Sequence, residues 1–208
     1  MTISRNISVM AQGASSSGIL AGGYGGLGAS VSPTTAGNVL FTADGSVWSS
    51  APNIVRGTSV SASGTSVDFT SIPSWVKRIT IMVQGVSTAS TGAVVFRIGT
   101  GGTPTVTGYT SVITYAYGTN SVNTRTNTTG FFLEGSDSSY AYNGNIFITN
   151  LTGNTWCCSG LIGNVVTTPY TAQMAGSVTL GGVLNIVRMT TTGGTDTFDA
   201  GNINILYE

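Results

Sequence analysis

Apolar and polar residues alternate along most of this chain. Between Lys77 and Gln84, the residues Ile79, Ile81 and Val83 share one face, the two-residue period of a strand buried on one side. Val94, Phe96 and Ile98 repeat it, with Val95 and Arg97 opposite. Further strand-like runs are Val55 to Ala62, Ser66 to Thr70, Tyr109 to Tyr117, Gly130 to Glu134, Gly144 to Leu151, Thr155 to Ile162, Ser177 to Leu180, Val183 to Thr191 and Asn202 to Tyr207. Gly, Asn, Ser and Thr separate them, at intervals of about 8–15 residues with no helical segment between, which predicts antiparallel pairing. The expected fold is all-β, an antiparallel jelly-roll-like β-sandwich over residues 57–208 that includes the C-terminus.

The first 30 residues follow a different pattern. Ile3, Ile7 and Met10 recur at helical spacing before Gly13, Ser15, Ser16, Ser17 and Gly18 end the run. A lone helix that short is marginal in water, so it makes sense docked on another chain. The Gly-rich stretch that follows carries Leu20, Tyr24 and Leu27, apolar anchors that an inert linker would not need. Residues 1–30 are therefore read as an extended N-terminal anchor whose partner contacts are Ile3, Ile7, Met10, Leu20, Tyr24 and Leu27. Residues 31–56 read as a connector hairpin with Asp44-Gly45 at its turn, the strongest short signal for two paired strands. An isolated hairpin is only marginally stable, so Val39, Phe41 and Trp48 are expected to pack on a neighbouring copy or on the following domain.

Composition narrows the chemistry. Of 208 residues, 7 are Lys or Arg, 7 are Asp or Glu and none is His, so charged residues make up 7% of the chain against roughly 25% in an ordinary soluble domain. The 33 Thr and 25 Ser must keep the surface wet instead. One Lys, Lys77, and balanced charge argue against nucleic acid, which demands a clustered basic surface, and against anionic membrane lipids. Lack of His removes the commonest general base and metal ligand, and with it every Ser-His or Cys-His nucleophile pair. No window approaches 18 consecutive apolar residues, and the N-terminus lacks the apolar core of a secretory signal. Cys157 and Cys158 are adjacent in an expected strand and so point to opposite faces, as small packing residues without a disulfide.

Several local patterns imitate functional motifs. Gly23 to Gly28 matches G-x-G-x-x-G, but no buried strand precedes it and no helix follows, so it is read as a flexible connector. The pairs Asp196/Asp199 and Glu134/Asp137 are read as turn and loop carboxylates; an enzyme acting on glycans would have only these and Asp68 to draw on. The tyrosines stand in Gly/Asn/Thr-rich surroundings, and Tyr109, Tyr140 and Tyr142 are the candidates for contact with a receptor, with core or interface packing as the competing role.

Two runs resemble a known family. Asp68 to Thr80 (DFTSIPSWVKRIT) and Gly194 to Glu208 (GTDTFDAGNINILYE) resemble the start and end of a β-rich domain of tailed-bacteriophage virion appendage proteins, often labelled tail-fibre proteins. The stretch Thr35 to Trp48 (TAGNVLFTADGSVW) is similar to a connector of the same class, so the resemblance spans about residues 31–208. It implies a non-enzymatic structural protein of the virion, usually a homotrimer, with its N-terminus on other virion proteins and its C-terminal domain outward. No catalytic residue, metal or cofactor comes with it. Without an internal repeat or heptads to build a shaft, a short appendage is expected on tail, baseplate or head, its sandwich offered to a host-surface glycan or protein. The alternatives are a capsid decoration protein that stabilises the head and, further off, a glycan-active enzyme.

Overall fold

The computed structural model describes residues 38–42, 48–52, 54–117, 121–133, 137–167 and 169–208. The chain divides into two units, residues 1–54 and 55–208. In the first unit β1 (Asn38–Thr42) pairs antiparallel with β2 (Trp48–Pro52), Asn38 opposite Pro52 and Thr42 opposite Trp48. The Asp44-Gly45 turn, the side chains of Val39, Phe41 and Trp48, and the anchor residues Ile3, Ile7, Met10, Leu20, Tyr24 and Leu27 lie outside the described residues.

The second unit is built from β3 (Val55–Arg56), β4 (Val60–Ser61), β5 (Ser66–Thr70), β6 (Arg78–Thr88), β7 (Val94–Thr100), β8 (Thr103–Pro104), β9 (Thr110–Tyr117), β10 (Ser121–Asn127), β11 (Phe131–Leu133), β12 (Tyr142–Thr152), β13 (Thr155–Asn164), β14 (Tyr170–Thr179), β15 (Ile186–Thr191) and β16 (Phe198–Tyr207). A nine-stranded sheet has the order β10-β9-β14-β13-β12-β6-β16-β3, with β4 also on β16. A five-stranded sheet has the order β11-β7-β15-β5, with β8 on β7. All pairings are antiparallel, and the two sheets pack face to face as a β-sandwich. The chain crosses repeatedly between the sheets, so no two neighbours along the path of the small sheet are consecutive strands.

The start of the sandwich differs by two residues from the sequence expectation. Val55 and Arg56, assigned to the connector, pair with Tyr207 and Leu206 and so belong to the large sheet. The last strand needs a partner on its outer edge, and this segment supplies it.

Alternation explains which side of each strand is buried. In β6 the residues Ile79, Ile81, Val83 and Val86 face inward, and in β12 Ile146 and Ile148 do so opposite Ile81 and Ile79. Phe96, Ile98, Phe131 and Val187 of the small sheet meet them, and every one of these side chains is buried. Burying each such side chain favours folding by roughly 1.5–3 kcal/mol. In β7 the expected two-sided pattern fails, because Val95, opposite Phe96, is buried too. The backbone of Gly130 lies against Val95 and Arg97 on that face.

A bulge bends the pairing of β6 and β16, where the register shifts around Ala200 and Asn202. Gly85 (φ 61°) and Gly201 (φ 92°) face each other there, backbone to backbone, and a Cβ on Gly201 would overlap Gly85. Only glycine meets both the positive φ and the close approach.

Candidate functional site

The tyrosines expected to reach a receptor are core residues. Tyr109 is 1% exposed, Tyr140 8% and Tyr142 3%. Tyr109 packs edge-on against Phe131 at a ring separation of 5.0 Å. Tyr140 lies 6.3 Å from Tyr142 and 5.6 Å from Tyr170, whose ring is 5.5 Å from Tyr115, so four aromatic rings form one buried cluster. The reason is geometric: Tyr142, Tyr170 and Tyr115 occupy inward positions of β12, β14 and β9, where the ring completes the core. The receptor assignment for Tyr109, Tyr140 and Tyr142 is therefore corrected to packing in the described fold.

Asp68, Asp137 and Asp199 are occupied by structural partners. Asp68 accepts a two-pronged contact from Arg188, Nε to Oδ1 and Nη2 to Oδ2, both at 2.6 Å. Asp137 accepts the backbone N–H of Ser139 at 2.9 Å and its hydroxyl at 2.7 Å, and these bonds hold its carboxyl below the usual range. Asp199 accepts a hydrogen bond from the Ser87 hydroxyl, and Asp196 lies against Gly92, where any side chain would collide with it. Glu134 lies outside the described residues. Among the described residues no group of three or more His, Cys, Asp or Glu side chains is arranged to hold a metal. Cys158 is buried, which pushes its thiol pKa up, and the neighbouring Cys157 is half-buried on the opposite face; both thiols are free.

An open groove of about 520 Å³ runs across β14, β9 and β10. Thr110, Ser111, Val112, Asn127, Gly176 and Ser177 are among the residues that line it. Several of its polar groups are already engaged, with one another or with neighbouring residues. Thr110 Oγ1 and Ser177 Oγ are 2.9 Å apart, Ser111 Oγ accepts the Phe132 N–H at 2.8 Å, and Asn127 Oδ1 accepts the N–H and hydroxyl of Thr129. Tyr109 is its one titratable lining group, and that hydroxyl is bonded to Ile98. The groove can exchange hydrogen bonds with a neutral molecule and offers no acid or base to react with one.

Sequence reasoning missed the broad outer face of the large sheet. Register aligns Thr126, Val112, Ala175, Ser159, Phe147, Thr80, Leu206 and Arg56 in one row across eight strands. The next row holds Thr124, Thr114, Gln173, Leu161, Asn145, Met82 and Asn204. Arg56, at the far edge, is the single charge in either row. Phe147 is 41% and Leu161 55% exposed, and Val112 is exposed too. A signal for this face was present in the sequence. Ile146-Phe147-Ile148, Leu161-Ile162, Val112-Ile113 and Ile81-Met82-Val83 are apolar at both parities, where a strand wetted on one side alternates.

Among the described residues no helix is long and apolar enough to cross a membrane. No family model, no curated protein and no solved structure matches the chain.

Proposed function

We propose that this protein is a structural subunit of a tailed-bacteriophage virion: a short, trimeric appendage, attached through residues 1–30 and carrying the sandwich outward. One observation carries the reading. The two runs that resemble the appendage family, far apart in sequence, are folded against each other as a single unit. The N–H groups of Lys77 and Arg78 both donate to the Glu208 carbonyl, at 2.7 and 2.9 Å, and the Glu208 N–H returns to the Arg78 carbonyl at 3.0 Å. Arg78 is ion-paired with Glu208, the Trp75 ring packs at a tilt against Tyr207 with centroids 5.9 Å apart, and Thr80 sits opposite Leu206. Residues that define a family by closing its fold, rather than by lining a cleft, suit a protein whose work is mechanical.

The chemistry supports the same reading. Asp68, Asp137 and Asp199 hold loops and strands together and are not offered to a substrate. A hydroxyl-rich, weakly charged surface contacts partners through shape and many small bonds, with little dependence on salt. Three joined copies would multiply such weak contacts by an effective-concentration gain of about 10²–10⁴.

The test is to purify phage particles from cultures that produce the protein and to quantify the chain by mass spectrometry. A fixed copy number per particle is expected, and deletion of residues 1–30 should abolish incorporation. A chain found free in the lysate and missing from particles would overturn the proposal. Labelled particles seen by electron microscopy would separate a tail or baseplate position from a head-decorating one.

A further inference from the structure

We propose that the outer face of the nine-stranded sheet, centred on Phe147 and Leu161, is the surface by which copies of this chain pack on one another. The inference rests on the oligomeric reading above and adds the face that carries the contact.

The first argument is a mismatch between pattern and burial. Strands buried on both sides read as continuous apolar runs, whereas strands with one wet face alternate. Five central strands of this sheet carry apolar residues on their outward positions: Val112 on β9, Ala175 on β14, Leu161 on β13, Phe147 on β12 and Met82 on β6. Val112 and Ala175 are register partners, Leu161 lies diagonal to both Ala175 and Phe147, and Met82 lies diagonal to Phe147, within reach of long side chains, so the five form one patch and not scattered exceptions. Within a single copy Phe147, Leu161 and Val112 nonetheless remain exposed. The sequence is thus written for a sheet covered on both faces, and the second sheet covers only one.

The second argument identifies the cover. Where copies pack about a symmetry axis that passes through this face, charges near the axis meet their own equivalents, which costs energy. The two central rows contain no charge inside the rim, where only Arg56 stands, with the Arg78–Glu208 pair one row away. Thr, Ser, Asn and Gln fill the remaining positions, and each can both donate and accept, so it can pair with its own equivalent. A basic or acidic partner would find no charge to complement in these two rows inside the rim. Size is sufficient as well: six strands about 4.8 Å apart and about 24 Å long give about 600 Å² a side, hence about 1,200 Å² between two copies, where stable specific interfaces begin.

The experiment is sedimentation velocity on the full chain and on the double variant Phe147→Glu/Leu161→Glu, with Val183→Glu, an exposed apolar site in a loop, as the control. An oligomeric parent, an oligomeric control and a double variant reduced to monomer with an unchanged β-type circular dichroism spectrum are expected. If the folded double variant keeps the parent's sedimentation coefficient, the face is wrong while the trimeric reading stands. A monomeric parent overturns both. A measurement on the intact face covers the case in which the double variant does not fold. Ser159→Cys lies between Ala175 and Phe147, and in a Cys157→Ser background it should react with a bulky maleimide about tenfold or more slowly than Ser63→Cys, an exposed position outside the face. Equal rates in the oligomer would reject the interface.

Discussion

The hydroxyl of Tyr109 is bonded to both backbone groups of Ile98, accepting its N–H at 2.8 Å and donating to its carbonyl at 3.1 Å. This one side chain, at the entry to β9 in the large sheet, is thereby fastened to β7 in the small one. The Ile98 carbonyl also accepts the Thr105 N–H at 2.9 Å, so loss of the phenol would leave the carbonyl served and the buried N–H bare. Tyr109→Phe should keep the ring contact with Phe131 and cost about 1–3 kcal/mol, the penalty of an unsatisfied buried donor. Urea unfolding of the parent and the variant measures it; an unchanged midpoint would remove the pin from the account of stability.

The same bond sets a response to alkali. Burial pushes the Tyr109 pKa up to about 12 from an ordinary value near 10. The folded value exceeds the unfolded one, so the neutral phenol's contribution is complete below about pH 10 and is lost as pH rises through 12. Ionisation would also destroy the donated bond to the Ile98 carbonyl. Stability should therefore fall between pH 10 and 12, and the fall should be shallower in Tyr109→Phe. Circular dichroism melts across that range, with phenolate absorbance followed in parallel, provide the comparison.

Asp68, Arg188 and Arg97 form a row across β5, β15 and β7, with Arg188 directly between the other two. Two guanidinium groups side by side repel, and the two-pronged contact of Asp68 with Arg188 offsets that. Arg97 is held separately, its Nε donating to the Thr129 carbonyl at 2.8 Å. Asp68→Asn should destabilise the sandwich by about 0.5–1 kcal/mol, in the range of partly exposed ion pairs. The difference should shrink in 1 M salt, where the Debye length is about 3 Å. A cost that does not change with salt would point to packing rather than charge.

The sandwich was legible where burial is one-sided, because β6 and β12 announce themselves through Ile79-Ile81-Val83 and Ile146-Ile148. It was illegible where the environment is unusual. The strand β10, Ser-Val-Asn-Thr-Arg-Thr-Asn, is exposed nearly throughout and carries no alternation, so hydrogen bonding to β9 alone makes it a strand. The first half of β14, from Tyr170 to Gly176, hides its period behind the small residues Ala172 and Gly176, and at Gly176 the backbone of Thr110 leaves no room for a side chain. Tyrosines misled the site assignment for a related reason: a ring with a polar tip suits a surface or a core equally, and only the strand parity of Tyr142 and Tyr170 decides. The outward row of Phe147 and Leu161 was visible as apolar doublets but indistinguishable from core until the second sheet was seen to cover one side alone.

Two glycines with similar backbone and different surroundings separate conformational cost from crowding. Gly64 has a φ of 67° with nothing within 4 Å of the position a Cβ would take. Gly201 has a φ of 92°, and its Cβ would run into the backbone of Gly85 across the β6–β16 bulge. Replacing glycine by alanine in a left-handed conformation costs about 1–2 kcal/mol, and overpacking against rigid backbone adds about 1–3 kcal/mol. Gly64→Ala should therefore lower stability by about 1 kcal/mol, and Gly201→Ala by about 3 kcal/mol. Because β16 carries the C-terminal run that closes on Arg78, the second variant should also loosen that junction, raising amide exchange at Arg78 and Glu208 while Gly64→Ala leaves it unchanged. Equal destabilisation by the two substitutions would mean that the bulge can open to admit a methyl group, and that its tight closure is no requirement of the fold.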